Sequence, residues 1–498
     1  MSLSRARLLL TLLASLMLAA CARAPVVSVP TSERAAIEER LRADIAVLSS
    51  DEFAGRKPGT PGEERTLAYL EQRMGEVGLV SGTNDPGSYW RTPVDLVSSR
   101  PLTGQVTLKV GRSSVTVPQS DAVVITKRRR ALATSGPGTG VPVVFVGYGD
   151  GSVLGDAMAG AVAVMLADPG RDTARRDALF AQRATAVVTV LPEGRALPDL
   201  MEAERVELAS EEVDTLAVFM TDATLAGVVG ERRWELLKED ASEAEFTPLE
   251  INLAITIEAT ADRREFSSYN LVGKIPGIAP ETGAVLLLAH WDHLGECAPP
   301  EASDRICNGA VDNASGLAVM LELARRLEAA GPHGRDIYVV ATSAEEAGLL
   351  GARAFAKSPP VPLGNIVAAF NLDMLALAPA GSPVGFIGAE RTPLDPVILE
   401  MIAQSGRTTG DAALAESFVT RQDGWALLQM GVPTVLLSSA FGSRDILNPF
   451  LASRYHRTAD EAAGIELGGA IDDLLLHEGL VRLLADPERY PPSAEVQP

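Results

Sequence analysis

The chain has 498 residues, 46% of them hydrophobic, so it can bury a substantial core and form several domains or one large domain with an insertion. Its formal net charge of -21 argues against a nucleic-acid binder, because such proteins need clustered Lys and Arg to displace counterions from phosphates. The densest basic run, "KRRR" at 127–130, is short and follows a predicted strand, so we interpret it as a solvated turn.

The first twenty residues are typical of a signal peptide. Arg5 and Arg7 precede the apolar run "LLLTLLASLMLAA", which is too short for an ordinary membrane-spanning helix. The run ends in "LAAC", which resembles the bacterial lipobox, so we expect Cys21 to be lipid-modified and to become the mature N-terminus. Ala22, which is not an aspartate, then favours anchoring in the outer membrane facing the periplasm. The alternative is a plain secretory signal cleaved after Ala20, which leaves a free thiol at Cys21.

Two amphipathic helices are predicted after a linker at 21–30, in a first segment at 31–94. Ile37, Leu41, Ile45 and Leu48 form one apolar stripe at helical spacing. Leu67, Leu70, Met74 and Val77 form a second stripe, and Gly78 suits the end of that helix. A loop rich in Gly and Pro, "LSSDEFAGRKPGTPGEE", separates the two helices.

The pattern then changes twice. Residues 95–262 contain short β-rich runs such as "GQVTLKV", "VPVVFVGYG" and "ATAVVTVL", which predict a separate, inserted β-rich domain. Residues 263–490 alternate apolar strands, such as "AVLLLA", "DIYVVATS", "NIVAAFNLD" and "PTVLLSS", with helical stretches. Strands that are apolar throughout belong inside a sheet covered on both faces, so the predicted fold class is α/β, with a mixed central sheet between helices.

Polar side chains follow several of these strands. His290 and Asp292 follow "AVLLLA", Glu345 and Glu346 follow "IYVVATSA", and Asp373 ends "IVAAFNLD". Ligands of open α/β sheets bind outside the carboxyl ends of the strands, so these groups are expected to converge there.

Asp312, in the loop "NGAVDNASG", and His456, in "SRYHRTAD", complete a set of imidazoles and carboxylates that suits a site for two zinc ions with a bridging carboxylate. Each group has an ordinary structural interpretation when it is taken alone. His290 suits a hydrogen-bonded strand end, the Glu pair a solvated helix start and Asp312 a helix N-cap.

The order and contexts of these residues resemble the zinc aminopeptidases of peptidase family M28 in clan MH. The resemblance is carried by "AHWDHLG", "NGAVDNASG", "SAEEAGLLG", "NLDM" and "YHRTAD" over about 270–480, and extends to "LSSDEFAGRKPGTPGEERTLAYL" near the N-terminus. It implies a zinc-aminopeptidase fold similar to phosphorylases. The inserted segment, with its "VFVGYG", is similar to a protease-associated domain, although the expected glycine-lysine strand opening appears only as "MAGAVAVML".

The resemblance implies a role for each site residue. One zinc is expected to be held by His290 and Asp373, the other by Glu346 and His456, and Asp312 bridges them. Glu345 is expected to be the general base that takes a proton from a metal-bridging water. The resemblance makes Asp292 the residue that orients His290, and Tyr455 a hydrogen-bond donor to the developing oxyanion.

One motif departs from the family pattern. The downstream Ser-Asp-His sequence is here "RQDGWAL", which keeps Asp423 and Trp425 but has Gln422 and Gly424 in place of serine and histidine. We expect this change to affect substrate specificity. Trp425 suits either a pocket wall or ordinary packing. His293 is interpreted as a rim residue, His333 as a loop residue and His477 as a surface or packed residue.

Cys297 and Cys307 remain after Cys21 is assigned. In an exported protein they are expected to form a disulfide, and the alternative is a pair of unpaired buried thiols. Zinc ligation by this pair is not expected, because the close CxxC spacing is missing.

The sequence therefore predicts a lipid-anchored, periplasm-facing exopeptidase with two zinc ions that removes N-terminal residues from peptides. The alternatives are a carboxypeptidase or dipeptidase on the same site, a glutaminyl cyclase, and a binding protein without catalysis. Peptides and the membrane are the expected partners, and nucleic acid is not.

Overall fold

The structure is a computed structural model that describes residues 27–491 apart from 86, 88, 153–154, 156–157, 198–203 and 213–214. The predicted signal peptide and Cys21 lie outside these residues. Within them, no helix combines the length and the apolar character needed to cross a membrane.

The chain divides into two compact units. Of the described residues, the first unit contains those up to Val94 and those from Ser267 onward, and the second contains Asp95–Phe266. The segment expected to be an inserted β-rich domain, 95–262, falls within the second unit. All the metal-ligand candidates belong to the first unit.

The strands are β1 to β19 in chain order. Their bounds are Val80–Ser81, Arg91–Val110, Ser113–Val117, Ala122–Thr126, Arg130–Ser135, Val143–Gly147, Val162–Leu166, Ala186–Leu191, Arg205–Leu208, Leu216–Thr221, Leu249–Glu250, Ala254–Ile275, Ala284–His290, Gly295–Glu296, Ile306–Cys307, Asp336–Thr342, Ile366–Asn371, Gly385–Ile387 and Thr434–Ser438.

The α-helices are α1 to α12 in the same order. Their bounds are Thr31–Leu48, Pro61–Val77, Asp172–Ala181, Asp222–Val229, Glu231–Ala241, Gly316–Ala330, Leu350–Lys357, Asp395–Gln404, Ala412–Glu416, Gly424–Leu428, Arg444–Ser453 and Gly468–Leu484.

The first unit is built on a mixed sheet in the order β18-β19-β17-β13-β16-β12. Strands β19, β17, β13 and β16 are parallel, whereas β18 and β12 pair antiparallel at either side of them. The parallel strands therefore end at one edge of the sheet, where a ligand site of an α/β protein is expected.

Helices cover both faces of this sheet. On β13, Val285 and Leu287 pack into a core with helices α1, α2, α6 and α12, while Leu286 and Leu288 pack on the other face with residues of α7. Successive residues of a strand point to opposite faces, which is why this strand is apolar throughout. The predicted α/β fold class, with a mixed sheet between helices, is confirmed.

The two N-terminal helices belong to the same core. Ile37, Leu41, Ile45 and Leu48 of α1 are completely buried, as are Leu67, Leu70 and Met74 of α2. Gly78 caps the C-terminus of helix α2, and its positive φ of 97° is a conformation that glycine adopts without steric cost. The structure thus bears out the two predicted apolar stripes.

The second unit contains parallel strands as well as antiparallel ones. Strands β6, β7, β8 and β10 are parallel neighbours, β4 and β11 pair antiparallel at the two edges, and helices α3, α4 and α5 belong to the same unit. Its core contains Phe145 and the completely buried Trp234, whose indole nitrogen donates to Asp222 at 2.7 Å. Its resemblance to a protease-associated domain stays a prediction.

Candidate metal centre and active site

The acidic and imidazole groups singled out from the sequence meet at the carboxyl edge of the sheet. His290 is the last residue of β13, Glu345 and Glu346 follow β16, and Asp373 follows β17. Asp312 lies in the turn Ala310–Ser315 before α6, and His456 follows α11.

Two groups of donor atoms share the Asp312 carboxylate. His290 Nε2 lies 3.3 Å from Asp312 Oδ1 and 3.5 Å from Asp373 Oδ1. On the other side, His456 Nε2 lies 3.4 Å from Asp312 Oδ2 and 2.9 Å from Glu346 Oε2. Each oxygen of Asp312 therefore faces a different imidazole, which is the arrangement expected of a bridging carboxylate.

The spacing and chemistry of these donors fit zinc. Donors at zinc-ligand distances in a tetrahedral site lie about 3.3 Å apart, close to the separations observed here. Asp373 Oδ1 and His456 Nε2 are also buried and have no hydrogen-bond partner among the described residues. Buried polar atoms without partners are costly, and one such atom lies in each donor group, which argues for a cation in each.

Asp460 and Asn313 hold the ligand loops together. The Asp460 carboxylate accepts hydrogen bonds from the backbone nitrogens of Val311 and Asp312, both at 3.1 Å. Asn313 donates to the carbonyl of Leu372 at 2.9 Å, next to Asp373. The sequence analysis did not identify these supporting roles, although Asn313 lies in the motif "VDNASG" and Asp460 in the motif "YHRTAD".

The role expected of Asp292 differs in the structure. His290 Nδ1 lies 3.1 Å from the backbone oxygen of Asp292 but 3.9 Å from its carboxylate. The carboxylate instead accepts from the backbone nitrogens of Glu345, at 3.0 Å, and Glu346, at 3.4 Å. Asp292 thus places the two glutamates, and its main chain orients the imidazole of His290.

The interpretation of His293 as a rim residue is wrong. His293 is 1% exposed, and its Nδ1 lies 2.6 Å from Glu346 Oε1. With Asp312 and Glu346 it forms a second group of possible metal donors. A Cβ at Gly309 would lie 2.7 Å from the His293 ring, so glycine provides the space that this imidazole occupies. Sequence pattern could not separate a rim histidine from a buried one here.

Three residues at the site have left-handed backbone conformations that side chains rarely adopt. Ala344 precedes Glu345 and has φ 53°, Met374 follows Asp373 and has φ 52°, and His456 itself has φ 57°. Such strain costs of order 1–3 kcal/mol at each residue and tends to cluster at functional sites.

Burial and mutual charge shift the pKa values of the cluster. Burial raises the pKa of Glu345, and the neighbouring carboxylates of Asp423, Glu346 and Asp373 raise it further against the opposing effect of His290. For Asp312, burial would raise the pKa, but the adjacent imidazoles of His290 and His456 lower it well below its usual range. Burial also lowers the pKa of His456, yet the adjacent carboxylates of Asp312 and Glu346 raise it to about 10. The cluster therefore combines a glutamate suited to hold a proton with carboxylates that favour bound cations.

A pocket opens beside the cluster. Glu345 and Tyr455 line it together with His290, Asp312 and Asp373. Its apolar wall is formed by Met374, Ile387, Phe418, Leu436 and Phe441. The Tyr455 ring stacks on the His456 ring with centroids 3.8 Å apart, and burial raises the pKa of Tyr455, so its hydroxyl stays protonated.

The motif that departs from the family pattern lies at this pocket. Gln422 lines the pocket and is held by Asn371, whose amide donates to it at 2.8 Å. Asp423 is fully buried and accepts from Thr342, and burial raises its pKa to about 6. Trp425 is half-buried against a hydrophobic cluster and is not among the lining residues, which favours the packing interpretation.

The remaining histidines and the cysteine pair have structural contacts outside the donor cluster. His333 is buried in the loop after α6 and contacts the Leu327 carbonyl at 2.8 Å. His477 is fully buried in α12, so it is a packed residue. Cys297 and Cys307 form a disulfide with their Cα atoms 5.7 Å apart, beside the hairpin of β14 and β15.

The mixed sheet and the cluster at its edge thus define an α/β protein with a candidate metal centre. Residues 270–472 match the family model of peptidase family M28. The matched segment contains all five metal-ligand candidates and Glu345.

Curated relatives match part of the chain. The chain is 34% identical over 142 residues to the alkaline phosphatase isozyme conversion protein of Escherichia coli strain K12, which covers 27% of the chain and 40% of that protein. It is 28% identical over 223 residues to a probable zinc metalloprotease of Pyrenophora tritici-repentis strain Pt-1C-BFP, which covers 43% of each. The chain thus spans about two fifths of the length of these relatives.

Among solved structures, the chain is similar to an aminopeptidase from Aneurinibacillus sp. strain AM-1. The TM-score is 0.55 at 20% identity, and the alignment covers 90% of this chain and 93% of that one. At this identity the similarity establishes the fold.

Proposed function

We propose that the protein is an exopeptidase with two zinc ions that removes N-terminal residues from peptides. The observation that carries the proposal is the pair of donor groups that share Asp312 beside the pocket lined by Glu345. His290 and Asp373 would hold one ion and Glu346 and His456 the other.

Zinc bound there would lower the pKa of a bound water and polarise the scissile carbonyl. Glu345 takes a proton from the attacking water and returns it to the leaving amine, a role supported by its raised pKa. Tyr455 donates a hydrogen bond to the oxyanion, since its hydroxyl stays protonated. The apolar wall of the pocket accommodates an apolar side chain of the substrate.

The test is to purify the protein in detergent, measure bound zinc and assay aminoacyl chromogenic substrates with and without a chelator. We expect close to two zinc ions per chain and activity that the chelator abolishes. Undiminished hydrolysis by zinc-free protein would overturn the proposal. Glu345→Gln is expected to keep its zinc but to lose about 10²- to 10⁴-fold in turnover, the usual contribution of a general base.

One observation favours a second candidate, a dipeptidase or carboxypeptidase. Arg421 lines the acidic pocket, and its guanidinium lies over the Phe418 ring at 4.8 Å from the ring centroid. Among the described residues, no carboxylate forms an ion pair with it. A free cation at this position suits the α-carboxylate of a short peptide.

A comparison of dipeptides with their C-terminal amides separates the two candidates. An aminopeptidase hydrolyses both. A dipeptidase or carboxypeptidase prefers the free acid, and Arg421→Gln would then remove the preference by raising KM for the acid alone.

We also propose that the chain is a lipoprotein anchored through Cys21 in the outer membrane, facing the periplasm. The support is the "LAAC" sequence that ends the apolar run. Wild-type protein is expected to incorporate labelled fatty acid and to sediment with membranes. If Cys21→Ser does both equally well, the anchor assignment is wrong.

A further inference from the structure

We propose that Arg56 is a positioning residue for the metal centre, which fixes the loops that carry His290 and Asp312. The inference rests on the proposed zinc function. It would make the segment Asp51–Arg56, which lies more than 200 residues before these ligands in the sequence, part of the site's support.

The Arg56 guanidinium binds three separate stretches of backbone. Nε donates to the carbonyl of Trp291 at 2.9 Å, directly after His290. Nη1 donates to the carbonyls of Leu48, at 2.7 Å, and Asn308, at 2.6 Å, and Nη2 donates to that of Gly309 at 3.0 Å. The loop from β13 and the loop before Asp312 are therefore joined through a single planar group.

This cation is completely buried and its hydrogen-bond acceptors are backbone carbonyls. A buried charge without a paired carboxylate is costly unless nearby charges compensate. Asp312, Asp292, Asp460 and Glu346 provide that compensation at longer range. A planar fork with five donors can meet carbonyls in several directions, whereas lysine has only a compact ammonium.

The backbone around Arg56 fits tightly against the same loops. Ala54, Gly55 and Arg56 all have positive φ, at 48°, 64° and 50°. A Cβ on Gly55 would lie 2.6 Å from the carbonyl oxygen of Cys307 and 2.7 Å from the Cα of Gly295, so the segment Asp51–Arg56 packs closely against the segments of these two residues. Strained conformations persist where the surroundings enforce them, which indicates that this approach is specific.

The chain offers a matched control in Arg335. Its side chain is also completely buried and also donates to three backbone carbonyls, those of Thr282, Leu484 and Tyr490. None of these carbonyls adjoins a metal-ligand candidate. Substitution of either arginine should lower stability, but only substitution of Arg56 should disturb the metal centre.

The experiment compares wild type, Arg56→Lys and Arg335→Lys as full-length proteins in detergent. Zinc affinity is measured by competition with a chromophoric chelator, and melting temperature is measured in excess chelator. We expect Arg56→Lys to weaken zinc binding about 10- to 100-fold, as the loss of a partner that supports the ligands does. Arg335→Lys should lower the melting temperature and leave zinc affinity within about threefold of wild type.

A second variant protects the test against misfolding. Gly55→Ala keeps the Arg56 side chain but separates it from the loops. Like Arg56→Lys, it should weaken zinc binding. Unchanged zinc affinity in either variant, or an equal loss in Arg335→Lys, would overturn the inference. If wild type itself binds no zinc, the proposed function fails instead, so the two failures are distinguishable.

Discussion

The Asp460 carboxylate accepts a hydrogen bond from the backbone nitrogen of Asp312 at 3.1 Å. It also pairs with Arg454, whose Nη2 lies 3.1 Å away, two residues before His456. Asp460 therefore connects the loop of the shared carboxylate to the loop of the second imidazole. It is fully buried, and burial raises its pKa to about 6.

Asp460→Asn should weaken zinc binding about 10- to 100-fold, because one oxygen that accepts from the Asp312 loop is replaced by an amide donor. Asp473→Asn is the control, since Asp473 is also fully buried and accepts from a backbone nitrogen, that of Ser439, at 2.7 Å. Chelator competition measures both variants. Equal zinc affinity in Asp460→Asn and wild type would contradict this account of the loop.

His293→Ala is expected to lower the zinc content from about two ions per chain towards one. The variant leaves Glu346 Oε1 without its imidazole partner at 2.6 Å, while the group formed by His290 and Asp373 is unchanged. Metal analysis after dialysis at fixed free zinc gives the stoichiometry. As a control, His333→Ala removes a buried histidine outside the donor cluster and should retain the full zinc content. An unchanged zinc content in His293→Ala would refute the prediction.

His477 should make folding sensitive to acid. Burial lowers its pKa to about 4 from an ordinary 6.5, although its Nδ1 lies 2.7 Å from the carbonyl of Asp473. The unfolded chain therefore binds the proton first as pH falls, so stability is complete above pH 6.5 and is lost between 6.5 and about 4. The loss amounts to roughly 3 kcal/mol.

Urea unfolding in chelator at pH 7, 6, 5 and 4 measures this effect. His477→Gln lacks the titrating ring, so the difference in unfolding free energy between wild type and variant should shift by roughly 3 kcal/mol across the range. Other groups titrate equally in both proteins and cancel in the comparison. Parallel curves would show that His477 is not responsible.

Removal of the disulfide should destabilise the protein modestly. The bond between Cys297 and Cys307 closes a short loop, for which the chain-entropy model gives roughly 2–3 kcal/mol. The double substitution Cys297→Ser and Cys307→Ser should lower the melting temperature while zinc content stays the same. If the melting temperatures of oxidised and reduced wild type coincide, the bond does not stabilise the fold.

The sequence could predict the fold and the ligand candidates for a common reason. Continuous apolar runs identified β13, β16 and β17, and parallel strands bring the residues after them to one edge. His290, Glu346 and Asp373 could therefore be grouped from their positions in the sequence alone.

The supporting residues could not be predicted in this way. Arg56, Asn313 and Asp460 act on backbone groups of distant loops, and loop paths leave no periodic signal in the sequence. The expected role of Asp292 changed for the same reason, because its carboxylate reaches the main chain of Glu345 instead of the ring of His290.

The shared carboxylate of Asp312 has a thermodynamic consequence. Since each of its oxygens faces a different donor group, a cation in one group would alter the position and charge of a ligand of the other. If two ions bind as proposed, their binding equilibria would be linked by a coupling free energy, and each ion would change the other's affinity by the same factor. A zinc titration should then depart from two independent hyperbolas. A substitution in either donor group should change the zinc affinity of both.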